Sequence, residues 1–149
     1  MRNVKIAAIQ MQCSTNLQTN LEKAEKMVRQ AAGDGAQIIL LPELFEREYF
    51  CQQRRYDFYH LAKPVEKNDA VQMGMRLAKE LNVVLPISFY EKAGNTAFNT
   101  IAIIDADGTI LGTYRKTHIP DGLPYAEKFY FTPGDTGFKV WKTKYADIG

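Results

Sequence analysis

The sequence predicts an α/β fold, and three features carry that prediction. Short runs that are apolar at nearly every position, Val4-Lys-Ile-Ala-Ala-Ile9 and Ile38-Ile-Leu-Leu41, have the pattern of strands covered on both faces. A segment with apolar residues at three- and four-residue spacing follows the first of them, as an amphipathic helix requires. Later runs are separated by turn signals, so antiparallel strands join the parallel ones.

Taken in order, residues 4–9 form the first strand. Leu17, Leu21, Ala24, Val28 and Ala31 then share one helical face, Asn16 stands where an N-cap belongs, and Gly33 and Gly35 stop the chain, which predicts a helix over residues 17–32. Ile38–Leu41 is the second strand, and Pro42 ends it where Glu43 emerges from its C-terminal end. Residues 44–67 hold Phe45, Tyr49, Phe50, Tyr56, Phe58 and Tyr59 without clean periodicity and read as a long irregular connection. Asp69 and Gln72 offer a capping pair for a helix to about Asn82, with Met73, Leu77 and Leu81 inward. Strands are expected over 83–90, 99–105 and 110–115, the last two joined by the turn Asp105-Ala-Asp-Gly108. A loop rich in Pro, Gly and aromatics follows, then a hairpin from 137–141 and 144–149.

A chain of 149 residues, 46% hydrophobic and 24% charged, is expected to form one domain, residues 1–149, around one core. A net charge of +2, with basic residues interspersed among acids, gives no handle on nucleic acid or anionic lipid. No apolar run reaches the length of a membrane span. Cys13 and Cys51 make neither a disulfide framework nor a metal motif, and Met1-Arg-Asn-Val-Lys5 leads into a strand without a secretory core, so a cytoplasmic location is expected. His60 and His118 stand apart without metal-ligand spacing, and no metal or other cofactor is expected.

Two charged residues remain candidates for chemistry, Glu43 at a strand end and Lys116 closing another strand, with an aromatic acidic loop, Tyr125-Ala-Glu127, after it. Ligands of open α/β sheets sit in the crevice beyond the carboxyl ends of strands. By position alone, Glu43 is more often a solvated or capping residue and Lys116 a strand-end lysine with its ammonium in water.

Leu41-Pro-Glu-Leu-Phe45, Tyr114-Arg-Lys-Thr-His-Ile-Pro120 and Glu127-Lys-Phe-Tyr-Phe-Thr-Pro-Gly134, in that order, resemble successive signature segments of the nitrilase superfamily. The resemblance implies an α-β-β-α sandwich of which this chain covers roughly the first half, stopping before the nucleophilic cysteine. It implies hydrolysis of a non-peptide C–N bond through a cysteine-linked intermediate, and homo-oligomers formed by stacking sandwiches. Under it, Glu43 is the general base, Lys116 stabilises thiolate and oxyanion, and Glu127 supports the lysine. Neither Cys13 nor Cys51 matches the nucleophile's position, so the isolated chain is expected to be inactive. Phe45–Phe50, His118–Gly122 and Glu127–Phe138 are most similar to members acting on the N-carbamoyl derivative of a diamine. The ammonium at the far end of such a substrate calls for carboxylates or aromatic faces, which makes Tyr49, Asp121 and Tyr125 candidate binding residues. Arg47, Arg54 and Arg55 keep open a carboxylate-bearing substrate such as N-carbamoyl-β-alanine, beside an ω-amide. A third reading is a non-catalytic fragment that needs a partner to complete its sandwich.

Overall fold

A computed structural model of the chain describes residues 3–149; Met1 and Arg2, the start of the expected lead into the first strand, lie outside the described residues. Seven strands and two α-helices follow in the order β1 (Ile6–Ala8), α1 (Leu17–Gly33), β2 (Ile38–Leu40), α2 (Asp69–Leu81), β3 (Leu85–Ala93), β4 (Thr96–Ile104), β5 (Ile110–Arg115), β6 (Trp141–Lys142) and β7 (Asp147–Ile148). β1 and β2 are parallel, β3, β4 and β5 form an antiparallel meander, and β6 and β7 make a short antiparallel hairpin. A parallel bridge between Ile38 and Val84 brings the two larger sheets edge to edge.

Asn16 caps α1 as expected, its side chain accepting from the Thr19 N–H at 3.0 Å. The cap of α2 is Asn68, one residue before the expected Asp69: Asn68 Oδ1 accepts from Val71 N at 2.9 Å, while Gln72 turns back to the Glu66 carbonyl. Buried Asn68 also donates to both oxygens of Glu46 at 3.0 Å. Asn68→Ala therefore removes a cap and strips a half-buried carboxylate of the amide that donates to both its oxygens, and is expected to cost about 2 kcal/mol. An unchanged urea midpoint would count against that accounting.

α2 packs on β3 and β4. Gly74 permits the approach, since a Cβ there would meet Ile87 Cγ1 at 2.7 Å and Ile104 Cδ1 at 2.9 Å. Where chain length predicts one core, the buried side chains form two clusters. Val28, Ile39, Val71, Leu77, Ile87 and Ile104 belong to the helix-on-sheet core. The aromatic segment after β2 builds a second, in which Leu44, Phe50, Cys51, Tyr90, Tyr130 and Phe131 meet: Phe45 enters the first core, but Phe50 packs on Tyr90 and on the 130–131 loop.

The expectation that β1 and β2 are covered on both faces is not met: Ile6 is 73% exposed and Leu40 45%. Their outer faces open onto a groove of about 1070 Å³ shared with Ile101, Phe138, Trp141 and Ile148. Among the described residues no helix is long and apolar enough to cross a membrane.

Candidate active site

Glu43 leaves the end of β2 through a sharp turn. Leu44 adopts the left-handed conformation, φ 52°, which costs a non-glycine residue about 1–2 kcal/mol. Two contacts hold it there: the Leu44 N–H donates to the buried Ser88 hydroxyl on β3 at 3.0 Å, and its side chain is buried in the aromatic cluster. Asn20, buried on α1, anchors the same segment by donating to the carbonyls of Ser14 and Glu46 at 2.7 and 3.0 Å.

Lys116 follows β5 directly and enters from the other side. Arg115, one residue earlier, lies over the Phe98 ring at 4.1 Å and pairs with buried Glu91 through Nε and Nη2 at 2.8 and 2.7 Å. The Gly134 N–H donates to the Lys116 carbonyl at 2.9 Å, and a Cβ at Gly134 would overlap the Arg115 carbonyl, so only glycine lets this loop lie so close to the strand end.

Three of the predicted residues converge. Lys116 Nζ lies 3.2 Å from Glu43 Oε1 and 2.9 Å from Glu127 Oε2. Glu127 is 3% exposed, and its burial is compensated by Lys116 and by the Tyr49 hydroxyl, which donates to Oε1 at 2.7 Å. Burial alone would lower the affinity of Lys116 for its proton, but the Glu127 hydrogen bond and the charges of both glutamates outweigh it and hold the ammonium above its ordinary range. The lysine is a fixed cation at neutral pH. Glu43 keeps half of its side chain exposed, at a cleft of about 280 Å³ lined also by Ser88, Asn99, Tyr114 and Lys116.

The predicted binding residues divide. The Tyr49 ring lies 6.5 Å from that of Tyr125, beside the cluster, but its hydroxyl is engaged by Glu127. Asp121 faces Arg54 at 3.6 Å, and among the described residues it makes no hydrogen bond or ion pair with Glu43, Lys116 or Glu127. Cys51 is fully buried close to Glu127, and burial followed by that carboxylate's charge pushes its thiol up to about 12, which leaves it a neutral packing group. Cys13 is partly buried and also free, and burial raises its thiol as well. His60 and His118 are both exposed. Among the described residues no cluster of His, Cys, Asp and Glu is placed to hold a metal ion. Asn99 and Ser88 were not singled out from the sequence; an Asn and a Ser within apolar strands are the only signals that could have pointed to them.

The cluster thus provides a carboxylate open to a cleft, an ammonium beside it, and a buried carboxylate fixing that ammonium. Such a set can accept a proton from a thiol and stabilise an anion on a carbonyl oxygen. Residues 5–149 match the family model described as carbon-nitrogen hydrolase. The chain is 55% identical over 148 residues to an N-carbamoylputrescine amidase of Arabidopsis thaliana, covering 99% of this chain and 50% of that one. It is 50% identical over 149 residues to a citrullinase of Francisella tularensis, covering all of this chain and 52% of that one. The crystal structure of a carbon-nitrogen hydrolase from Helicobacter pylori superposes with a TM-score of 0.88 at 32% identity, over 95% of this chain and 48% of that chain. The chain spans about half the length of the curated relatives it matches.

Proposed function

The chain belongs to the carbon-nitrogen hydrolase family, and from that premise we propose that it supplies the base and the oxyanion-stabilising half of an active site that hydrolyses N-carbamoylputrescine. The observation that carries this reading is the Lys116 ammonium held between Glu43 and Glu127, with Glu43 open to the cleft. The reading requires a nucleophilic cysteine, a place that neither Cys13 nor Cys51 fills. Glu43 takes the thiol proton as sulfur attacks the carbamoyl carbon, and Lys116 stabilises the charge that develops on its oxygen. The C–N bond to the terminal amide breaks, the leaving nitrogen receives the proton, and ammonia departs, leaving a cysteine-linked carbamoyl group. Water, deprotonated by Glu43, cleaves that group to a carbamate, which loses carbon dioxide to give the diamine. The 55% identity to an N-carbamoylputrescine amidase supports the choice of substrate. Two free cysteines support a reducing compartment, the cytoplasm, and stacking of copies of the completed sandwich belongs to the same reading.

One observation favours a second substrate. The Arg54–Asp121 pair presents a cation and an anion side by side, as the α-amino and α-carboxylate groups of citrulline require, and a citrullinase is 50% identical. Ammonia release by the protein expressed from its complete reading frame separates the readings. N-carbamoylputrescine is expected to exceed L-citrulline and N-carbamoyl-β-alanine in kcat/KM by about tenfold or more, one well-placed charge contact being worth that much. Preference for citrulline selects the second reading, and no release from any of the three overturns both.

A further inference from the structure

β4 presents three successive residues to two networks. Phe98 and Thr100 face the Arg115–Glu91 pair, the ring under the guanidinium and the hydroxyl donating to Glu91 at 2.6 Å. Asn99, between them, points to the opposite face as strand alternation requires, and is 4% exposed. Its side chain meets Glu43 Oε1 at 2.6 Å, and because a carboxylate only accepts, the amide nitrogen is the group that faces it. Its main-chain carbonyl accepts from the Lys116 N–H at 2.8 Å. One residue therefore touches both the carboxylate and the backbone of the lysine. Glu43 Oε1 receives both Asn99 and Lys116, whereas among the described residues Oε2 receives no hydrogen bond.

We propose that Asn99 is the positioning residue of the base: by occupying Oε1 and tethering Lys116, it makes Oε2 the oxygen that takes the proton and fixes its distance from the ammonium. The inference rests on Glu43 being the base, as proposed above. An unanchored carboxylate at a half-exposed position rotates freely, and either oxygen can turn to Lys116 and quench the basicity the reaction needs. The other polar and charged groups around the pair are Lys116 at the end of β5, Ser88 and Tyr114 in the same cleft, Glu127 and Tyr49 behind the ammonium, and the Cys51 thiol.

The test uses Asn99→Asp and Asn99→Leu in the protein expressed from its complete reading frame, with Glu43→Gln alongside. Asn99→Leu keeps the side-chain volume without the donor, and is expected to lower kcat about 100-fold with little change in KM. Asn99→Asp sets a second carboxylate against Glu43 and is expected to move the acid limb of the kcat/KM profile up by about one unit or more, a change that loss of packing alone does not produce. ¹³C-detected titration of the Glu43 side chain in the same variant needs no turnover and is expected to show the same upward move. Wild-type profiles and an unmoved Glu43 titration, with Glu43→Gln inactive, overturn the role of Asn99 and leave the base in place. An active Glu43→Gln overturns both.

Discussion

Glu43→Gln is expected to lower kcat about 100- to 10,000-fold while KM changes by less than about threefold. Gln fills the same volume and still offers Asn99 an oxygen, so the Glu43–Asn99–Lys116 arrangement has no steric reason to change. What it cannot do is take a proton. The reaction needs one removed from the thiol before it can be returned to the departing nitrogen, and Lys116, already protonated between two carboxylates, cannot accept it. Steady-state ammonia release and thermal unfolding measured together make the comparison decisive: a loss of kcat with an unaltered melting temperature assigns the proton transfer to this carboxylate. A variant within tenfold of the parent would show that another group is the base.

The largest expected loss of stability comes one residue from Lys116. Arg115→Met is expected to destabilise the chain by about 3–5 kcal/mol, because it strands Glu91, 6% exposed, without the guanidinium that compensates its burial. Asp135, the other partner of Arg115, is 62% exposed, and Asp135→Ala is expected to cost about 1 kcal/mol or less. Burial pushes the Glu91 carboxyl up, yet its hydrogen bonds to Arg115 and Thr100 prevail and hold it below the usual glutamate value. A carboxyl lowered on folding stabilises the native state fully above its unfolded-state value, and that contribution disappears as pH falls through the lowered one. In the variant, unpaired Glu91 binds a proton more readily. The gap between parent and variant in urea unfolding is therefore expected to narrow on acidification; a gap independent of pH would locate the cost elsewhere, in the Phe98 contact.

Much of this was legible in the sequence where one local rule acted alone. The α1 stripe and its Asn16 cap were read to within a residue, because amphipathic spacing and capping chemistry agree there. β5 was read with its observed bounds. The α2 cap was displaced by one residue because Asn68 and Asp69 are both capping side chains, and the choice between them is made by Glu46, 22 residues away in sequence. The β3–β4 hairpin, closed by Gly94-Asn95 with Gly94 at φ 61°, was missed although Gly-Asn is a turn signal. For the site, the motifs pick out Glu43, Lys116 and Glu127, and the three come together. Asn99 and Ser88 are not picked out, since what they do depends on a side chain 56 positions away and a main-chain N–H 44 positions away. The expectation that β1 and β2 are buried on both sides failed for a related reason: apolar composition records that a face must be covered, but not which part of a chain covers it.

The left-handed turn at Leu44 bears on when the site comes into being. Glycine there would release the backbone strain but give up a side chain that is 3% exposed, worth about 1.5–3 kcal/mol, so the strain persists because burial outweighs it. A conformation of that kind has no local reason to form. It becomes favourable only after Ser88 and the aromatic cluster close a loop of 44 residues upon it, a contact that carries the entropy cost of long-range closure. The direction of the carboxylate thus depends on β3 being docked, and a chain in which that contact is broken carries Glu43 without it.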